Sequence, residues 1–133
     1  MLGKLRSTKG QAILELALVL PILLLLVFGI TEFGRIFNAS LVISQAAREG
    51  VRVGVVGGSD ADITTAVKTV AANLDVNKLE IYIDPPEPPV GSRVRGSSLR
   101  VEVDYSVPVV VPVIAAIVPN PYPLKAVAVM RVE

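Results

Sequence analysis

The 133-residue chain contains no cysteine and no histidine. Without cysteine it can form neither a disulfide nor a thiolate site. Without histidine it lacks the commonest general base and the commonest transition-metal ligand. An excess of one charge is missing too, since 13 Lys and Arg face 12 Asp and Glu, for a net charge of +1. That balance implies no general attraction to nucleic acid. No basic helix with interleaved aromatics is present either, so nucleic-acid binding is set aside. The acidic residues are scattered, and Lys68, Lys78 and Lys125 sit in no recognisable serine–lysine motif. The expectation is a chain that is not an enzyme and that carries no cofactor and no metal.

Apolar residues are abundant. They make up 52% of the chain, and the excess is concentrated between Ala12 and Ile30. That gives about 19 largely apolar positions, near the roughly 20 that a helix needs to span a bilayer. Lys4, Arg6 and Lys9 precede the run with no acid among them. This charge bias predicts a cytoplasmic N-terminus and an extracytoplasmic remainder in a single-pass membrane protein.

Between Lys9 and Glu32 the sole charge is Glu15. A charge at the centre of a membrane helix costs roughly 2.5–3.5 kcal/mol on insertion scales, and less near the edge. Snorkelling lowers that cost, yet a plain anchor would do better with Leu at this position. Glu15 is therefore the residue most informative about function. Pro21 removes one helical hydrogen bond and predicts a bend that membrane helices tolerate. Three readings fit the segment. A cleaved secretory signal lacks the expected Ala-x-Ala site. An ordinary signal anchor leaves Glu15 unexplained. A prepilin-type leader, cut between Gly10 and Gln11 on the cytoplasmic side, accounts for the basic residues, the glycine and the glutamate together.

The helical pattern continues from Thr31 to Val53. Ile30, Phe33, Phe37, Leu41, Ser44 or Ala47, and Val51 recur at spacings that predict one apolar face. Glu32 and Arg35 are three apart and can pair, for a few tenths of a kcal/mol. An arm from Gln11 to Val53 would be about 65 Å long. It is rich in small residues, among them Gly29, Gly34, Ala47 and Gly50. Such residues let helices approach closely. Between Ala39 and Gly50 the partner can be another subunit or the chain's own domain. At Gly29 and Gly34 an intermolecular partner is expected.

Gly54 to Gly58 reads as a break. Ser59 with Asp62 three residues on reads as a capping box, opening a helix over 60–74 that buries Ile63, Ala66, Val67, Val70 and Leu74. Asp60 and Asp62 suit that helix start and are too few for a calcium loop. Strands are expected at 79–83, 99–107 and 124–132 from their alternation. The prolines of 85–89 favour a stiff extended loop, with Arg93, Arg95 and Arg100 making that end basic. The apolar run 107–119 is too short and too proline-broken to cross a membrane. A short helix at 113–118 is expected there. It can pack on the core, lie on a membrane surface or contact another subunit.

Four pieces of this sequence resemble the TadE-like family, pseudopilins or minor pilins of tight-adherence (Flp-type) pilus systems. They are Lys9-Gly10-Gln11-Ala12 leading to Glu15, Leu18-Val19-Leu20-Pro21, Phe28-Gly29-Ile30-Thr31-Glu32-Phe33-Gly34-Arg35, and Ala46-Ala47-Arg48-Glu49-Gly50-Val51-Arg52. The ending Ala126 to Glu133 is similar to the family's usual one. The resemblance implies a prepilin peptidase that cuts between Gly10 and Gln11, and a Glu15 that promotes cleavage or assembly. Its other implied partners are pilin or pseudopilin subunits and the pilus assembly platform. Leu16 departs from the aromatic that major Flp pilins usually carry after this glutamate, which points to an accessory subunit.

The expected architecture is α+β and pilin-like: a long transmembrane and amphipathic N-terminal helix, a second helix, and a three-stranded antiparallel sheet. Its parts are a leader (1–10), a membrane helix (11–31), an extracytoplasmic continuation (32–54) and a small globular domain (55–133). An uncleaved, membrane-tethered binding module is the alternative. It would need the anchor and the sheet domain but neither Gly10 nor Glu15.

Overall fold

The computed structural model describes residues 8–86 and 93–133. Lys4, Arg6 and the proline stretch beyond Pro86 lie outside the described residues. The first element, α1, is a single helix over Thr8–Val55, 48 residues long and about 72 Å end to end. It runs unbroken across Pro21.

The expected break at Gly54 falls slightly later. Gly54 is helical and buried, and α1 ends after Val55. Gly57 adopts a left-handed φ of 96°. Its N–H donates to the Gly54 carbonyl at 3.2 Å, and the Gly58 N–H donates to the Val53 carbonyl at 3.0 Å. This pair of bonds is a Schellman stop, which favours glycine at the left-handed position.

The second helix, α2, covers Asp60–Val70 and has the expected capping box. The Ser59 N–H donates to Asp62 Oδ2 at 2.9 Å, and the Asp62 N–H donates to Ser59 Oγ at 3.2 Å. Hydrogen bonds from the Ser59 hydroxyl and then from its backbone hold the Asp62 carboxyl below its ordinary range. The helix stops at Val70, four residues short of the expected end. Beyond Val70 the chain turns, with the Leu74 N–H donating to the Ala71 carbonyl at 2.9 Å. The Asp75 carboxylate accepts the Asn77 N–H at 3.1 Å and starts a short 3-10 turn over Val76–Lys78.

Three strands follow: β1 (Leu79–Asp84), β2 (Ser98–Val107) and β3 (Tyr122–Arg131). They form an antiparallel sheet in the order β1-β2-β3. β3 starts two residues earlier than its alternation suggested and contains Pro123. An edge strand tolerates a proline because one side of its backbone is unpaired. A helical turn, α3 (Pro112–Ala115), sits in the connection between β2 and β3. The fold is α+β, with α1 packed against α2, β2 and β3.

The core lies between the upper half of α1, α2 and the inner face of the sheet. Ile43, Val51, Ile63, Val67, Leu99, Val101 and Val103 are completely buried there. Each such side chain stabilises the fold by about 1.5–3 kcal/mol relative to exposure. Gly50 and Gly54 set the closeness of the helices. A Cβ on Gly50 would meet Val67 Cγ2 at 2.7 Å, and one on Gly54 would meet Ile63 Cδ1 at 2.7 Å and Leu99 closer still.

The packed face of α1 differs from the expected one. Val51 and Ala47 are buried, but Phe33, Phe37 and Leu41 are exposed. The buried stripe runs through Ala39, Ile43, Ala46, Ala47, Gly50 and Gly54 instead. Close packing explains the choice, since a helix lying against both α2 and a sheet has room for small residues and not for phenylalanines.

Gly54→Ala is therefore expected to destabilise the domain by about 1–2 kcal/mol. Overpacking costs about 1–3 kcal/mol, and the gain in helix propensity offsets part of it. Gly34→Ala, with open space around its Cβ position, is expected to be neutral or slightly stabilising. Thermal melts of the detergent-solubilised full chain would check both, and equal melting temperatures for the two variants would contradict this packing.

Candidate functional site: the N-terminal arm

The two halves of α1 have opposite surroundings. From Ala39 to Val55 the helix is the spine of the domain. From Thr8 to Phe28 every residue is exposed, and α1 is long and apolar enough to cross a membrane. Its most apolar 18-residue window has no residue buried within the protein. A stretch this apolar that the fold leaves uncovered fits a bilayer as its solvent.

Glu15 lies in this uncovered half, with its Oε1 accepting a hydrogen bond from the Gln11 side-chain amide at 3.3 Å. Lys9, Gly10 and Gln11 follow Thr8 in the first described turn of α1. The structure thus places Lys9, Gly10, Gln11 and Glu15, all exposed, on one helical stretch.

The four small residues expected to pack helices divide into two pairs. Ala47 and Gly50 are buried against the chain's own α2 and sheet. Gly29 and Gly34 have nothing within 4 Å of a Cβ position. Beside them Phe33 and Phe37 stack with ring centroids 6.4 Å apart and are 70% and 56% exposed. With Ile30, these aromatics and the two glycines line an open groove of about 420 Å³. A helix bearing both bulky knobs and small-residue holes on its free face is suited to packing against another helix.

Glu32 has a role that its spacing did not reveal. Pairing with Arg35 was expected, and the two are 2.9 Å apart. The carboxylate is also 2% exposed, and it accepts the Val110 N–H at 3.4 Å. Arg35 reaches the Pro108 carbonyl at 3.5 Å. Together they fasten the connection between β2 and β3 to α1 just past the apolar run. The lone carboxylate at the end of an apolar stretch was visible in the sequence, but its partner stands 78 positions away.

The basic end is partly consumed inside the fold. Arg93 donates to the Gly58 carbonyl at 2.7 Å and pairs with Asp60 at the start of α2. On the outer face of the sheet, Glu102 pairs with Lys125 and Arg100. Their hydrogen bonds, Lys125 first, hold its carboxyl below the ordinary range.

Residues 10–52 match the family model described as TadE-like protein. Over this arm the chain is similar to TadE-like proteins. The match begins at the glycine of the candidate cleavage site and ends three residues before the end of α1. The TadE-like family suggests involvement in tight-adherence pilus systems, and with it pilus-system partners and membrane association. No curated protein and no solved structure matches the chain.

Removing the carboxylate in Glu32→Ala takes the ion pair from Arg35 and leaves the Val110 N–H without its acceptor. The expected cost is about 1–3 kcal/mol, felt first where 108–119 meets α1. Hydrogen exchange at the Val110 amide should accelerate while the Val103 amide in β2 keeps its protection. Unchanged exchange at Val110 would show that Glu32 does not hold this segment.

Proposed function

We propose that this TadE-like chain is a non-catalytic pseudopilin or minor pilin of a tight-adherence pilus, matured by a prepilin peptidase. In this reading it is held in the cytoplasmic membrane, N-terminus inside and domain outside. The peptidase removes residues 1–10 and leaves Gln11 as the new N-terminus.

The observation that carries the proposal is Glu15, a lone carboxylate on a membrane-length helix that the rest of the protein leaves uncovered. A charge that makes insertion harder needs compensation. The free amine of a neighbouring subunit, created by cleavage, supplies it: opposite charges in a low dielectric attract strongly and offset each other's desolvation. The free stripe of Phe33 and Phe37 beside Gly29 and Gly34 then packs against other arms, of pilin subunits or of the assembly platform. The domain, joined to the arm through one continuous helix, is carried along rigidly.

Glu15→Leu separates this role from simple anchoring. The variant is expected to insert at least as well as the parent, because Leu is favoured in the bilayer. The domain, far from position 15, should keep its melting temperature. Assembly should suffer, since an uncompensated charge in such a pair costs about 3–5 kcal/mol, on the order of a hundredfold or more in the association constant. Counting surface pili in a strain carrying the variant reads this out, and normal piliation would refute the proposal.

A further inference from the structure

A second apolar surface lies at the point where α1 leaves its apolar run. Between Asp104 and Lys125 the chain has no charged residue. Its central part, α3 and the turn after it, lies alongside α1. Ile114 and Val118 face Gly29, Phe33 and Ile36 of α1 across a groove of about 330 Å³. Hydrogen bonds from the Ile117 and Val118 amides to the Ile114 carbonyl continue the helical turn beyond Ala115. One position before each of these residues, Val113 and Ile117 lie outside the groove lining. They are 51% and 80% exposed, and Val110 is 66% exposed.

The height of this surface follows from α1. Ala12 to Ile30 covers about 27 Å of helix, close to the roughly 30 Å hydrocarbon thickness of a bilayer. Glu32 lies about 3 Å further along, and its carboxylate holds the Val110 N–H. A span that fills the bilayer therefore brings Val110, Val113 and Ile117 to its outer boundary.

We propose that this 110–117 surface is a second membrane contact, inserting Val110, Val113 and Ile117 into the outer interface of the lipid bilayer beside the arm. Its occupant is phospholipid, because the surface is continuous with the uncovered span of α1 and uncharged throughout. The pairing of Glu32 and Arg35 with backbone groups at 110 and 108 fixes the contact to the arm. The domain then stands at a set height and tilt over the membrane before the subunit is drawn into any assembly. This inference rests on the membrane-spanning reading of α1.

The chain has no tryptophan, so one introduced indole reports on one place. The full chain carrying L24W, I117W or V56W would be reconstituted in phosphatidylcholine vesicles with and without brominated acyl chains. Ile117 and Val56 are both well exposed, so neither change disturbs the core, and V113W provides a second probe of the same surface. Interfacial insertion buries an apolar side chain roughly 5–10 Å into the headgroup–acyl boundary. The emission of I117W and V113W should therefore fall by roughly half in the brominated vesicles, like that of L24W. V56W, just past the end of α1 and about 39 Å beyond Ile30, should be unaffected. Quenching of L24W without quenching of I117W and V113W would overturn the inference and leave the anchor standing. A blue-shifted but unquenched I117W would also overturn it, by showing a protein partner on the surface. An unquenched L24W would overturn the membrane reading of α1 and this inference with it.

Discussion

Close approach of α1 to α2 and β2 at Gly50 and Gly54 is the interaction on which the rest of the molecule depends. It allows one helix to be both the spine of a small domain and the rod that projects from it. Wider residues there would push α2 and the sheet away from α1 and open the core around Ile63, Val67 and Leu99. Because α1 continues through that contact without a hinge among the described residues, the domain and the arm move as one piece. A force on the arm reaches the domain through helix and packed side chains, with no linker to absorb it.

The same helix must satisfy two environments, and its sequence changes accordingly. From Leu16 to Phe28 its side chains are apolar on every side and mostly large, as suits a lipid environment. Beyond Ala39 one side narrows to alanine and glycine, as a packed core demands. Between them, Phe33 and Phe37 lie on the free side while Glu32 turns inward to hold the segment beyond β2. That boundary gathers the features of the molecule that its own core does not explain: the open glycines, the stacked aromatics and the apolar turn 113–118. Surfaces of this kind, exposed and contiguous, mark places where something else binds. The function we propose sets two such tasks in succession, storage in lipid and packing among other arms.

Much of this organisation could be read from the chain. The basic residues, Gly10, Glu15 and the apolar run are local in sequence, and so was the family resemblance they carried. The capping box at Ser59 and the alternation in β2 also depend on neighbours only a few residues apart. What escaped was long-range. The stripe through Phe33, Phe37 and Leu41 has good helical spacing, but spacing cannot tell which of two apolar faces meets the domain. That choice was made by the space left between α2 and the sheet. The binding of Val110 to Glu32 and the pairing of Arg93 with Asp60 likewise join residues far apart in the chain, and no motif announces them. The early end of α2 also escaped, since the hydrophobic pattern runs on to Leu74 while the helix stops at Val70.

The measurement that bears most directly on the account is the identity of the N-terminal residue of the membrane-purified protein, made with and without its cognate prepilin peptidase. The account requires a start at Gln11 when the peptidase is active and an intact leader when it is absent. An uncut N-terminus beside an active peptidase would contradict it and leave a membrane-anchored extracytoplasmic domain with no part in pilus assembly.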